Sequence, residues 1–229
     1  MRFVPLTLAL VVGCTALIAA NEKTKAAARL DDSATLFHEI MSTPDKSIPQ
    51  DLLDKANCIV LVPGLKKAAF GFGGKYGRGF AVCRQPAGQG WGPPAAMRVE
   101  GGSVGFQIGV SSSDVILLIM NESGMKKLSS SKFTIGADAT AAAGPVGRNA
   151  TAQTDAFMTA EILSWSRSRG LFAGISLDGA TLRNDLDENE ALYGQRWTMK
   201  DILGSGAKTP KSASKLITSL NKYSPREKK

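Results

Sequence analysis

The chain has 229 residues, 43% of them hydrophobic and 21% charged, which is enough apolar content for a compact domain and argues against disorder. One histidine and three cysteines leave few ligands for a zinc site, and no apolar run of spanning length follows the first twenty residues, which excludes a multi-pass membrane protein. The net charge of +8 is concentrated in two places: Lys55–Val99 carries seven basic groups and no acid, and Lys200–Lys229 carries eight against two. Such segments attract anionic membrane surfaces, nucleic acid or acidic protein filaments.

Arg2 precedes an uncharged stretch from Phe3 to Ala20, and polar Asn21-Glu22-Lys23 follows. This has the form of an export signal. Cleavage after Ala20, acylation of Cys14 in a lipoprotein-like signal, and retention as a single anchor all fit. Each puts the remainder outside the cytoplasm, in the periplasm or on the envelope, and lipid-anchored if Cys14 is acylated. In an oxidising compartment Cys58 and Cys83 either form a disulfide or remain two buried thiols.

Ala26, Leu30, Ala34, Phe37 and Met41 recur at helical spacing and predict an amphipathic helix ending before Pro44. A short helix at 50–56 follows. Ile59–Val62 predicts a buried strand stopped by Pro63-Gly64, then come alternating Ala68, Phe70 and Phe72, and a further strand at Gly79–Cys83. Val104–Val110 alternates apolar and small or polar residues, Ser111–Ser113 predicts a turn, and Val115–Met120 predicts a central strand. Strands at Glu161–Trp165 and Leu171–Leu177 follow, then short helices at Asp185–Leu192 and Met199–Leu203, and a basic helix at Ser212–Tyr223. A strand-rich middle between helical ends, without regular alternation, predicts an α+β fold. Its core is a largely antiparallel β-sheet or barrel, with an N-terminal amphipathic helix and short C-terminal helices. The organisation expected is an address at 1–20, a single domain at 21–203 and a basic C-terminal tail at 204–229.

Apparent catalytic motifs fail on their chemistry. Gly101-Gly102-Ser103-Val104-Gly105 fits the nucleophile-elbow pattern, but the base of such hydrolases is a histidine after the serine, and His38 precedes it. Gly71–Gly79 has Tyr76 where a dinucleotide loop needs glycine and a phosphate loop needs serine or threonine. The acidic run Asp185–Glu190 lacks the loop glycine and terminal glutamate of a calcium loop. Arg148, Arg167 and Arg169 lack the interleaved aromatics of a nucleic-acid platform. No enzyme, cofactor or metal is expected.

Several ordered blocks carry a likeness. They are Asn57–Lys67, Gly73-Gly74-Lys75-Tyr76-Gly77-Arg78-Gly79, Gly90-Trp91-Gly92-Pro93-Pro94, Glu100–Gly109, Ala143–Arg148 and Tyr193-Gly194. Together they resemble the SYLF-domain family of lipid-binding proteins over about Ala34 to Gly194, in its bacterial, exported branch. The resemblance implies a non-enzymatic domain that binds anionic phospholipids, and fungal members also bind actin. Lys66, Lys67, Lys75 and Arg78, on turn-like segments, are the expected lipid-phosphate ligands, with Trp91 or the face of the Leu30–Phe37–Met41 helix supplying apolar insertion. The alternative is an envelope structural or interaction protein whose Lys208–Lys229 tail binds an acidic polymer or protein partner.

Overall fold

The structure, a computed structural model, describes residues 6–43, 47–85, 90–146, 159–168, 171–174, 177–204 and 206–225. In chain order its elements are α1 (Leu6–Met41), α2 (Gln50–Lys55), β1 (Cys58–Cys83), β2 (Ala95–Ile119), α3 (Glu122–Leu128), β3 (Lys132–Thr134), β4 (Ala141–Ala143), β5 (Ile162–Ser168), β6 (Leu171–Gly174), β7 (Thr181–Asn184), α4 (Leu186–Tyr193), α5 (Met199–Gly204) and α6 (Ser214–Tyr223). The class is the expected α+β. A curled, mostly antiparallel seven-stranded sheet runs β3-β7-β2-β5-β4, with β1 on β2 and β6 on β5, and only β4 and β5 lie parallel. Among the described residues no helix is long and apolar enough to cross a membrane.

The centre of the fold is one long antiparallel ribbon. β1 and β2 pair from Cys58↔Ile119 to Ala81↔Ala95. The ribbon folds back on itself, so the second half of β1 crosses its first half. Gly79 marks the crossing: a Cβ there would stand 2.0 Å from Leu61 O and 2.8 Å from Val62 Cα. Cys58 and Cys83, at the two ends of β1, meet there with their sulfurs bonded.

Where the ribbon is doubled, both faces are covered. Ile59, Leu61, Phe80, Val82, Ile116 and Leu118 pack on one side with Leu30 and Phe37 of α1, Leu53 of α2, and Leu216 and Leu220 of α6. Val60, Val62, Ala81, Met97, Val99 and Leu117 pack on the other with Phe133, Leu182, Met199 and Ile202. Strands covered on both faces read as continuous apolar runs, as Ile59–Val62 and Val115–Ile119 do.

Two expectations are corrected. Pro63-Gly64 does not stop β1; it is a bulge, with the register shifting between Val62 and Leu65. Gly64 takes φ +64°, and its N–H donates to Asp114 Oδ1 at 2.9 Å. Ser111–Ser113 is not a turn, because each serine lies in β2 opposite Lys67, Lys66 and Leu65 in turn. The basic helix near the C-terminus forms, as a 3-10 turn at Lys211–Ala213 followed by α6. Its inner residues Ala213, Leu216 and Leu220 are fully buried.

Candidate functional site

Beyond the doubled body, residues 65–76 of β1 and 100–113 of β2 form a two-stranded arm. Lys67 lies opposite Ser111, Lys66 opposite Ser112 and Ala68 opposite Val110. All six are exposed, and Val110 is 82% exposed, the highest value of any large hydrophobic among the described residues. Neither Lys66 nor Lys67 has a carboxylate partner among the described residues. The arm thus brings two uncompensated cations beside an uncovered apolar side chain.

The other expected ligands are placed differently. Lys75 is half-buried and donates to the backbone O of Asp178 at 3.3 Å. Burial, and then the charge of Lys67, holds its pKa below the usual lysine value, while Asp178 acts the other way. Lys75 therefore stands near Lys67 but is partly withdrawn from solvent.

Arg78 faces inward. It bridges Asp185 at 2.5 Å and Glu188 at 3.2 Å, two carboxylates that are almost fully buried. Its hydrogen bond to Asp185 raises its pKa, against the opposing effect of burial. Arg29 of α1 also pairs with Glu188, and Arg98 approaches Asp185 at 3.9 Å. Burial raises the pKa of Glu188, which Arg29 and Arg78 oppose. Buried carboxylates need such partners, so Arg78 joins β1 to α4 and, through Glu188, to α1. It is not presented to a ligand.

Trp91 is also corrected: it is 1% exposed. Its Nε1–H donates to Ser224 O at 3.1 Å, its backbone N–H donates to Asn221 Oδ1 at 3.2 Å, and the Arg84 guanidinium stacks 3.9 Å above its ring. The tryptophan is part of the core beneath α6 and reaches no surface. The helix face named as the other source of insertion is likewise buried, with Leu30 and Phe37 at 0% exposure. Cys14 falls within α1, and its side chain lies outside the described ones.

Ser103 stands in the arm opposite Gly73, and its side chain lies outside the described ones. His38 is exposed on α1, with Nδ1 3.1 Å from the Tyr223 hydroxyl. A cleft of about 870 Å³ opens beside β3 and β7, lined by Lys126, Lys127, Lys132, Arg183, Glu100 and Asp138 among others. Two of these four basic residues are paired, Lys127 with Glu161 at 2.8 Å and Arg183 with Glu100 at 3.5 Å.

A second exposed cationic feature is Lys211, Lys215 and Lys222 on the outer side of the α6 segment. Lys215 and Lys222, seven apart, lie within about 20° of one another on the helix, a signal the sequence carried, and Lys211 stands on the 3-10 turn before it. Val110 was legible only as one position of an alternating strand, and its exposure depends on where the ribbon folds.

The chain is similar to known proteins along most of its length. The profile of the family Ysc84, described as Las17-binding protein actin regulator, matches residues 100–223. Protein YSC84 of Saccharomyces cerevisiae is 31% identical over 203 residues, covering 87% of this chain and 43% of that protein. SH3 domain-containing YSC84-like protein 1 of Rattus norvegicus is 33% identical over 190 residues, 82% of this chain and 55% of that protein. LAS seventeen-binding protein 3 of Saccharomyces cerevisiae is 30% identical over 203 residues, 87% of this chain and 44% of that protein. The chain therefore spans about half the length of these relatives. With more than half of its own residues matched by the family profile, the β2 strand of the arm among them, the chain belongs to the Ysc84, or SYLF-domain, family.

Proposed function

We propose that the chain is a non-enzymatic binding module that docks peripherally on anionic phospholipid surfaces through the β1–β2 arm. The observation that carries this reading is the exposure of Lys66 and Lys67 beside Val110, with no carboxylate partner among the described residues. Each lysine near an anionic surface contributes about 1 kcal/mol. Burying a valine side chain in the interface adds roughly 1.5 kcal/mol. With a partial contribution from Lys75 the sum is about 4 kcal/mol, a millimolar-class affinity for one copy. In this reading residues 1–20 act as the export address, removed or acylated at Cys14, and the surface met is that of the cell envelope.

The test is cosedimentation of the purified chain with vesicles of phosphatidylcholine, with and without phosphatidylserine. Binding is expected only with the anionic lipid, weakening as salt shrinks the reach of charges. Lys66→Gln/Lys67→Gln should weaken it about 30-fold, the equivalent of about 2 kcal/mol. Lys211→Gln/Lys215→Gln/Lys222→Gln separates the arm from α6. Truncation before α6 would not do so, because Leu216 and Leu220 are core residues. Equal binding to both vesicle types, or binding indifferent to the arm substitutions, rejects the reading.

The family's description, Las17-binding protein actin regulator, favours a second reading in which the module binds a protein partner. Pelleting with actin filaments but not with vesicles would select it.

A further inference from the structure

Four cations stand in one row across four adjacent strands. Lys132 of β3 lies opposite Arg183 of β7, Arg183 opposite Arg98 of β2, and Arg98 opposite Arg78 of β1. Directly opposed residues share a face of the sheet, and like charges set this way destabilise it unless something offsets them. The other face is core: Phe133, Leu182 and Val99, which alternate with these cations along their strands, are buried. Acids offset one end of the row. Asp185 and Glu188 hold Arg78, Asp185 also stands 3.9 Å from Arg98, and Glu100 is shared between Arg98 at 3.9 Å and Arg183 at 3.5 Å. At the other end Lys132 is exposed and has no carboxylate partner among the described residues.

That end of the row opens into the cleft of about 870 Å³, which Lys132 and Arg183 line together with Lys126 and Lys127 of α3. Lys127 is committed to Glu161. Lys126 is exposed and, like Lys132, has no carboxylate partner among the described residues. Thr134 and Thr181, two residues along from the Lys132–Arg183 pair, line the same cleft with their hydroxyls 3.0 Å apart. One hydrogen serves that bond, and the other hydroxyl keeps its own to donate. Two carboxylates, Glu100 and Asp138, also line the cleft. They repel a fully ionised anion but accept a hydrogen bond from one that retains a proton.

We infer that this cleft binds a phosphomonoester group, with Lys126, Lys132 and Arg183 on its oxygens, a threonine hydroxyl donating and Asp138 accepting from its P–OH. Phosphate brings several acceptor oxygens to a forked guanidinium and two ammonium groups, which suit it in charge and geometry. Its second proton leaves at about pH 6, so the monoanion is within reach at neutral pH, whereas sulfate has no proton to give. Phe133, the one large apolar side chain among the described residues of the lining, is buried. The cleft therefore recognises the phosphate group and offers nothing to an acyl chain. Its cations are not those of the arm, and its occupancy is measured without lipid, so it does not rest on the arm reading.

The experiment is isothermal titration calorimetry of the full chain with glycerol 3-phosphate and with sulfate at constant ionic strength. Beside it, cosedimentation compares vesicles of phosphatidic acid, a phosphomonoester, with vesicles of phosphatidylserine, a diester. Glycerol 3-phosphate should bind, and sulfate about tenfold more weakly for want of the P–OH bond. Lys126→Gln/Lys132→Gln should weaken binding of the ester about tenfold or more, two charge-assisted contacts being lost. With no carboxylate partner for either lysine among the described residues, this variant should keep the parent's thermal midpoint. Lys66→Gln/Lys67→Gln should bind the soluble ester as the parent does, which separates this site from the arm. A preference for phosphatidic acid that Lys126→Gln/Lys132→Gln removes identifies a lipid headgroup as the source of the phosphate. Vesicles bound alike, with the soluble ester still bound, identify a free phosphate ester. No binding of the ester in either form, sulfate bound as tightly, or binding that Lys126→Gln/Lys132→Gln leaves unchanged overturns the inference.

Discussion

Replacing Gly79 by alanine tests the folded ribbon at the place where it has least room. The new Cβ would stand 2.0 Å from Leu61 O, 2.8 Å from Val62 Cα and 2.9 Å from Leu61 C. All three are backbone atoms of the same strand, packed in the core, so no side chain can rotate away. Relief requires the two halves of β1 to separate, which opens the packing of Leu61 and Phe80 on one face and of Val62 and Ala81 on the other. Overpacking of a core ordinarily costs about 1–3 kcal/mol. With a backbone oxygen as the obstacle, about 3 kcal/mol or more is expected, which lowers the thermal midpoint by roughly 6–12 °C for a domain of this size. The control is Gly102→Ala in the arm, where no heavy atom lies within 4 Å of the added carbon. It should shift stability by no more than about 0.5 kcal/mol. Urea and thermal unfolding followed by far-ultraviolet circular dichroism measure both. Equal midpoints for Gly79→Ala and the parent would show that β1 does not cross itself at Leu61.

Two further outcomes follow from the core and its margins. The Cys58–Cys83 bond closes a loop of 25 residues in sequence separation, so reduction, or Cys58→Ser/Cys83→Ser, should lower unfolding free energy by about 3 kcal/mol; urea curves that superimpose with and without reductant would contradict this. Burial opposes ionisation of Glu161, yet hydrogen bonds from Lys127, Ser123 and the Thr140 N–H outweigh it and hold the pKa at about 2, well below the usual glutamate value of 4.5. Because the folded value is the lower one, this stabilisation is complete above about pH 4.5 and is lost as pH falls toward 2. Glu161→Gln should therefore be less stable than the parent at pH 7 and lose less on acidification through that window, and parallel stability–pH curves for the two would refute the assignment.

Local patterns carried much of the fold. The spacing of Leu30, Ala34 and Phe37 located the buried face of α1, and all three are at most 2% exposed. Asp185 and Gly194 bounded α4 as side-chain N-cap and left-handed C-cap. What escaped was set by partners distant in sequence. Pro63-Gly64 reads locally as a stop, but Asp114, fifty positions on, accepts the Gly64 N–H and lets the strand continue. Gly77 and Gly79 suggest a hairpin; their small size serves the crossing of two halves of one strand. Arg78 looks free until Asp185 and Glu188 are brought to it. Trp91, flanked by Gly90, Gly92 and Pro93, has the setting of a loop tip, and only α6, more than 120 residues later, turns it into core. Lys66 and Lys67 stand out in the sequence as adjacent cations just after Pro63-Gly64, and the structure leaves both exposed.

Vesicle binding by the Lys66→Gln/Lys67→Gln variant bears most directly on the proposed role. The parent should pellet with phosphatidylserine-containing vesicles and stay in solution with phosphatidylcholine alone, while the variant, folded to the same thermal midpoint, binds about 30-fold more weakly. Undiminished binding by that folded variant would place the adhesive surface elsewhere on the molecule and remove the arm from the mechanism.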